Sequence, residues 1–564
     1  MKIIDLIHQL LPNGPEAYAS KREGQPVNYN KCPSWPVDLF AVVGTIIERS
    51  GCYTMATPDR EKLASHEVRL EEIRKCADLW NGDINDPPSP VQSLWADLIG
   101  PSKDVKIGEI GKDAQLVSRL LALFAIADEA SAGIGWDVDP ADASRKNFAS
   151  LAFIGITTDD AANQLPYPRT SMCVMVPPDQ AIVLPKSIAS SVGCTIRSLS
   201  HYLAILPPVS VLEPEWILSS TRPTGEPEAA ECIRLLLVPF PFTIHADCFK
   251  LSVPKQRLGQ SNFPAHFSLE QRWLELDGAP VSGVLLAKDL VQPLIDAAKE
   301  ETGHIPNGIV FPECALSSEL AGELIRALAG SGIEFLITGV LDKTPDGVHF
   351  NRALTFAFQP DGSVATAEQN KHHRWRLDRG QTRRYALDFD TSADNSQWWE
   401  DIDISSRRLP FFGLRRDMSL VTLICEDLAR SDPAMPAIRA IGPNLVIALL
   451  MDGPQLAVRW PGRYATVLAD DPGSAVLSFT CAAMVDRSNW LETKPARSIG
   501  LWRDESNGTQ ELRLPEGSHG LLLSLQSKSK HQTTLDGRSD GSSSRQLTLR
   551  TVVPLFLAPQ PHWL

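Results

Sequence analysis

The sequence predicts an α/β domain over residues 232–558, preceded by a mixed α+β domain over residues 36–218. Three observations lead there. From residue 232 onward, strand-like apolar runs alternate with helix-like segments, the pattern of a layered α/β domain. The stretch SSTRPTGEPEAAE at 219–231 combines Pro, Gly and acidic residues as linkers do. At 564 residues the chain is longer than one hydrophobic core usually serves.

In order along the chain, residues 1–35 form a polar segment punctuated by Gly and Pro. From Pro36 to about Asp137 the apolar residues follow a helical period in DLFAVVGTIIERS, REKLASHEVRLEEIRKCADLW and AQLVSRLLALFAIADEA. Between about Leu151 and Leu212 the texture is strand-like, in SMCVMVPPDQAIVLPKSI and TIRSLSHYLAILPP. Beyond the linker, CIRLLLVPFPFTI reads as a strand, LAKDLVQPLIDAAKEET as a helix and GIVFPECAL as a strand carrying Glu313. A helix over SSELAGELIRALAGSG and the strand IEFLITGVL follow, then HFNRALTFAF and SVATAEQN paired about a Pro-Asp-Gly turn. An irregular stretch runs from Lys371 to about residue 418. Then come the strand SLVTLICED with Cys425, a helix after Pro433, NLVIALLM as a strand, RYATVLADD as a helix and SAVLSFTCAAMV as a strand. Terminal strands are expected at 498–503, 519–525 and 546–557, with the polar stretch 526–545 as a flexible loop.

Composition removes several function classes. The net charge of −14 disfavours a general nucleic-acid binder, which needs a basic docking face. Asp5 and His8 interrupt the amino terminus before an apolar run reaches signal-peptide length, and no stretch approaches the ~18 apolar residues of a membrane span. A cytoplasmic protein without a membrane partner is the expectation. The ten cysteines form no CxxC pair, and the histidines form no HExxH, so neither a zinc site nor a disulfide framework is indicated. No Walker loop, nucleophile elbow or complete dinucleotide fingerprint occurs, and no cofactor is expected.

Three residues carry chemistry: Glu313, Lys371 and Cys425, each at the carboxyl end of a strand-like run. A thiol of ordinary pKa, about 8.5, is mostly protonated at neutral pH and needs a base or a cation beside it. Glu313 would serve as the base and Lys371 as the cation that also holds a developing oxyanion. Together they suit amide hydrolysis through a thioester on Cys425.

The motifs around these residues are Phe311-Pro312-Glu313, Thr338-Gly339, Phe350-Asn351 and Ile424-Cys425. On them, residues of about 231–557 resemble the nitrilase, or carbon–nitrogen hydrolase, superfamily. The resemblance implies an αββα sandwich with a Glu–Lys–Cys triad, an amide or nitrile-like small-molecule substrate, and a homodimer paired through one helical face. It also implies a second glutamate between lysine and cysteine. Glu400 is the only glutamate in that interval and is the candidate, with Asn351 and Glu426 as further supporting residues. The 54 residues from Lys371 to Cys425 make a longer interval than most members have.

Two rival readings remain. Cys425-Glu426-Asp427 is similar to glutaminase domains of NAD synthetases, implying a donor of ammonia or an acyl group to a partner chain. The long interval and the extra amino-terminal half look similar to nitrilase-like proteins associated with bacterial antiphage reverse transcriptases, implying a binding or sensing component. The arginine-rich segment 371–384, with Arg407, Arg408, Arg415 and Arg416, reads either as a solvated loop or as an anion-recognising lid. Trp375, Trp398 and Trp399 would wall a pocket or anchor that loop.

Overall fold

Two seven-stranded sheets face each other at the centre of the molecule. The computed structural model describes residues 1–15, 27–82, 87–134, 170–187, 193–208, 212–218, 232–252, 265–359, 362–389, 397–415, 418–490, 492–541 and 544–563. The first sheet runs Val364–Asn370, His349–Phe358, Phe335–Lys343, Gly308–Val310, Cys232–Leu237, Gly520–Lys530, Ser544–Leu555. The second runs Gly508–Arg513, Ser498–Asp504, Ala475–Thr480, Leu445–Leu450, Met418–Ile424, Arg408–Arg415, Glu213–Leu218. Each has three mutually parallel strands at its centre and antiparallel neighbours outside them.

The period-two alternation of a strand decides what each side chain meets. Leu235 and Leu237 point into the core between the sheets, while Leu236 between them packs under helices. Phe335 and Ile337 likewise enter the inter-sheet core, and Leu336 and Val340 meet the helices. Those helices are the run from Gly283 to Thr302, with a π-type turn at Ala287–Val291, and Ser318–Ala327. Ala434–Ile441 and Trp460–Asp470 bury their apolar faces beside the second sheet. The layers are helices, sheet, sheet, helices: a mixed α/β fold.

The amino-terminal half contributes helices Pro36–Ser50, Leu63–Gly82, Ser89–Ile99 and Ala114–Ala130 and an antiparallel pair, Ile182–Pro185 with Leu203–Leu206. Its apolar residues join the inter-sheet core in one continuous cluster. The expected linker, 219–231, lies outside the described residues, as does 135–169. The strand before that linker, Glu213–Leu218, pairs in parallel with Arg408–Arg415 at the edge of the second sheet.

Four readings of the sequence need correction. Within the segment read as polar, Ile3–Leu10 is a helix that buries Ile3, Leu6, Ile7 and Leu10, an i, i+3, i+4, i+7 stripe. Residues 172–176 are a loop rather than a strand, because the N–H groups of Val174, Met175 and Val176 go to the buried Asp38 carboxylate at 3.1, 2.9 and 3.0 Å. The supposed flexible loop 526–545 extends the last hairpin to a Lys530–Ser544 pairing. Its Arg538 is buried, paired with Asp128 at 3.0 Å and Glu129 at 2.8 Å on the helix Ala114–Ala130.

The stretch after Lys371 is not irregular either. It builds strands Arg376–Asp378 and Gln397–Glu400 and the short helix Arg379–Arg384. These two strands combine with Ala265–Leu269 and Phe249–Ser252 into a four-stranded third sheet. Among the described residues, no helix is long and apolar enough to cross a membrane.

Candidate active site

The carboxyl ends of parallel strands are where open α/β sheets place ligands, and both sheets present their chemistry there. Glu313 follows the central strand Gly308–Val310 of the first sheet. Cys425 follows Met418–Ile424 of the second and opens a single 3-10 turn, Cys425–Ala429. Lys371 follows the edge strand Val364–Asn370.

The Lys371 ammonium is fully buried between two carboxylates, donating to Glu313 Oε1 at 2.8 Å and to Glu400 Oε2 at 2.6 Å. Asn351, on the neighbouring strand His349–Phe358, donates through Nδ2 to the same two residues, at 2.8 Å to Glu313 Oε1 and 2.9 Å to Glu400 Oε1. Its main-chain carbonyl accepts the N–H of Lys371 at 2.8 Å, fixing the two strands in register. Glu313 Oε2 is buried without a partner, which leaves that oxygen free for chemistry.

Electrostatics follow from this arrangement. Burial opposes the charged ammonium of Lys371, but Glu313, Glu400 and Cys425 together outweigh it and hold its pKa well above the usual lysine value. Burial raises the Glu313 carboxyl, Lys371 pulls it down and Glu400 pushes it up again, and the net shift is upward. The buried Cys425 thiol is raised well above the ordinary range, first by desolvation and then by Glu313, with Lys371 acting the other way. Each of the three groups therefore lies within the others' electrostatic reach.

Two local backbone features hold the site. Cys425 has φ of 47°, a left-handed conformation uncommon for a side chain larger than glycine's. Gly339 is required by close approach: a Cβ there would lie 2.4 Å from Glu313 Cα and 2.6 Å from the Pro312 carbonyl oxygen. The strand Phe335–Lys343 thus presses against the turn that presents Glu313.

The third sheet covers this cluster and supplies Glu400. Phe249, Phe267, Trp375, Tyr385, Phe389 and Trp398 form its buried underside. Trp375 also donates its main-chain N–H to Glu400 Oε2 at 2.9 Å, so it both anchors the segment and orients the carboxylate. Arg487 holds the cover down through the carbonyls of Ile244, Tyr385 and Ala386, at 2.6–3.0 Å. Tyr385 donates its hydroxyl to Asp452, beyond the strand Leu445–Leu450. Between cover and cluster is a cavity of about 20 Å³, walled by Glu313, Glu400, Trp375, Leu341, Met451 and Phe267 among others. That is room for about one water.

Glu426 is half-buried beside the cluster: its carboxylate accepts from Arg430 at 2.8 Å, and its charge adds to those that raise the Cys425 thiol. The neighbour that matters structurally is Asp427, given no role of its own in the Cys425-Glu426-Asp427 triplet, whose buried carboxylate accepts from the segment after Lys371. Its sequence signal is its place in that triplet, two residues after Cys425. His372 and His373 share no metal geometry, and no metal-holding group of three His, Cys, Asp or Glu occurs among the described residues. Of the arginines proposed as an anion lid, Arg374 donates to the Ile402 carbonyl, Arg376 stacks on Trp399 and Arg408 pairs with Glu215. Arg416 lies outside the described residues. A larger cleft of about 690 Å³, between the amino-terminal half and the helices Ala434–Ile441 and Trp460–Asp470, meets the Cys425 turn only at Leu428 and Ala429. Glu313, Lys371 and Cys425 do not line it.

No protein-family model matches the sequence, and no curated protein matches it. Among solved structures, the chain is similar to a glutamine-dependent NAD+ synthetase from Acinetobacter baumannii, with TM-score 0.31 and 12% identity over 57% of this chain. It spans 48% of that synthetase's length. Nit3 of Saccharomyces cerevisiae, a member of branch 10 of the nitrilase superfamily, gives TM-score 0.28 and 14% identity over 50% of this chain and 85% of Nit3. An amidase of the nitrilase superfamily from Nesterenkonia AN1 gives 0.29 and 13% over 52% of this chain and 90% of the amidase. Members of the nitrilase superfamily are thus among the solved structures to which about half of this chain is similar.

Proposed function

We propose that this chain is a cysteine-dependent hydrolase of non-peptide C–N bonds in a small-molecule amide. The observation that carries the reading is the buried Lys371 ammonium, held by Glu313 and Glu400 and coupled to the Cys425 thiol. Glu313 takes the thiol proton as Cys425 Sγ attacks the carbonyl carbon, and Lys371 with the N–H following Cys425 holds the oxyanion. Glu313 then protonates the departing nitrogen as the C–N bond breaks, leaving a thioester. Water deprotonated by Glu313 attacks that thioester, expels the thiolate and releases the acid. Glu400 and Asn351 hold Lys371 and Glu313 in place through this cycle.

The test is ammonia release from a panel of amides by the wild-type chain and by Cys425→Ala. Equal release by both from every reacting amide would sink the proposal. The glutaminase-like reading rests on the Cys425-Glu426-Asp427 triplet, in which Glu426 pairs with Arg430 and Asp427 with the segment after Lys371. Pairing of two copies belongs to the same proposal; light scattering that returned a single 61.8 kDa chain would remove it.

A further inference from the structure

The candidate triad is divided between two sheets. Glu313 and Lys371 come from the first and Cys425 from the second, so the separation of cation and thiol depends on how the sheets are held at this end. The contacts of the Lys371 ammonium run to Glu313, on the first sheet, and to Glu400, on the third. Neither fixes it against Cys425.

Asp427 makes that connection. It lies two residues after Cys425, on the same 3-10 turn, and is 1% exposed. Its two carboxylate oxygens accept the main-chain N–H of His372 at 3.2 and 3.1 Å, and Oδ1 also accepts from His373 Nδ1 at 2.8 Å. His372 is the residue directly after Lys371. One carboxylate thus joins the turn that presents the thiol to the segment that presents the ammonium, 54 residues apart along the chain.

We propose that Asp427 is the positioning residue of this site: it sets the distance between Lys371 and Cys425, and so the ionisation of the thiol. A main-chain N–H acceptor suits the task, since its geometry does not depend on a long side chain's rotamer. Charged acceptors bind N–H groups more strongly than neutral ones, and this one is shielded from water. The left-handed Cys425 conformation needs such a restraint, because a turn released there relaxes toward ordinary backbone geometry.

The inference rests on the proposed chemistry, and its test separates the two. Asp427→Asn keeps one acceptor oxygen but replaces the other with a donor facing the His372 N–H. His373→Ala removes only the side-chain bond and leaves the main-chain contact intact. Site-specific alkylation of Cys425 by iodoacetamide is followed against pH for each, well below its melting temperature. Asp427→Asn is expected to shift the pH midpoint of Cys425 alkylation upward and to lower kcat at least tenfold with KM changed less than threefold, as misplacement of about 1 Å can cost ~10²-fold. His373→Ala is expected to keep the midpoint within wild-type error. An unchanged midpoint in a folded Asp427→Asn protein, or an equal shift in both variants, overturns the inference. A shifted midpoint in a chain that hydrolyses no amide would remove the proposed function and leave the positioning role standing.

Discussion

Lys371 and Glu400 meet at 2.6 Å although they belong to different sheets, one ending an edge strand of the first and the other ending a strand of the cover. The cover is therefore part of the charge balance of the site as well as its roof. Removing it would take one of two carboxylates from the ammonium and lift the second negative charge that raises Glu313.

That coupling has a measurable sign. The Glu400 charge raises the Glu313 pKa, so Glu400→Gln should lower it. The limb of the rate profile governed by Glu313 should then move to lower pH. A profile of kcat against pH checks this, and a limb that stays put or moves up would count against the electrostatic account.

Alkylation of Cys425 should respond oppositely to its two charged neighbours. Glu313 raises the thiol pKa and Lys371 lowers it. Glu313→Gln is expected to move the pH midpoint of alkylation down and Lys371→Met to move it up. Loss of Lys371 should also cost at least ~10² in kcat, as loss of an oxyanion donor does. Mass spectrometry of the Cys425 peptide gives the rates; the same direction in both variants would contradict the arrangement.

Gly339→Ala places a methyl group 2.4 Å from Glu313 Cα and 2.7 Å from the Cys314 nitrogen. Both neighbours are backbone and cannot swing aside. A loss of about 1–3 kcal/mol in stability is expected, as for other overpacked cores, with a fall in kcat because the Glu313 turn is what must shift. Urea denaturation and ammonia release measure the two effects. A fully active, fully stable variant would show that the strand does not press on the site.

Arg487 should control opening of the cover. A hydrogen bond to a charged group contributes about 1.5–3 kcal/mol, so Arg487→Ala should favour the open state roughly ten- to a hundredfold. Hydrogen exchange should accelerate across 376–389 and 397–400 while the central strand Met418–Ile424 keeps its protection. Uniform acceleration across the chain would point to global destabilisation instead. The roughly one-water cavity leaves no room for the amide of the proposed reaction while the cover is closed.

The sequence reading located Glu313, Lys371 and Cys425 because each follows a run whose apolar residues leave little choice of structure. Asn351 was visible on its hairpin, and Glu400 as the only glutamate before the cysteine. The cover was not visible. Its strands are three to five residues long, and Gln397–Glu400 pairs with Ala265–Leu269, far away in sequence, so no local pattern announces it. Asp427 escaped because a carboxylate two residues past a thiol looks like any turn residue until its acceptors are placed. The helix Ile3–Leu10 carries a legible apolar stripe among polar neighbours.

The parallel strand Glu213–Leu218 closes one side of the second sheet. A shortened protein beginning at residue 232 would strip that strand away and uncover the main-chain donors and acceptors of Arg408–Arg415. Bare sheet margins recruit other chains, and the same cut would strand apolar side chains that now share the central core with the amino-terminal helices. The amino-terminal half thus covers one margin of the second sheet and shares its core, and solubility is where its loss would first be felt.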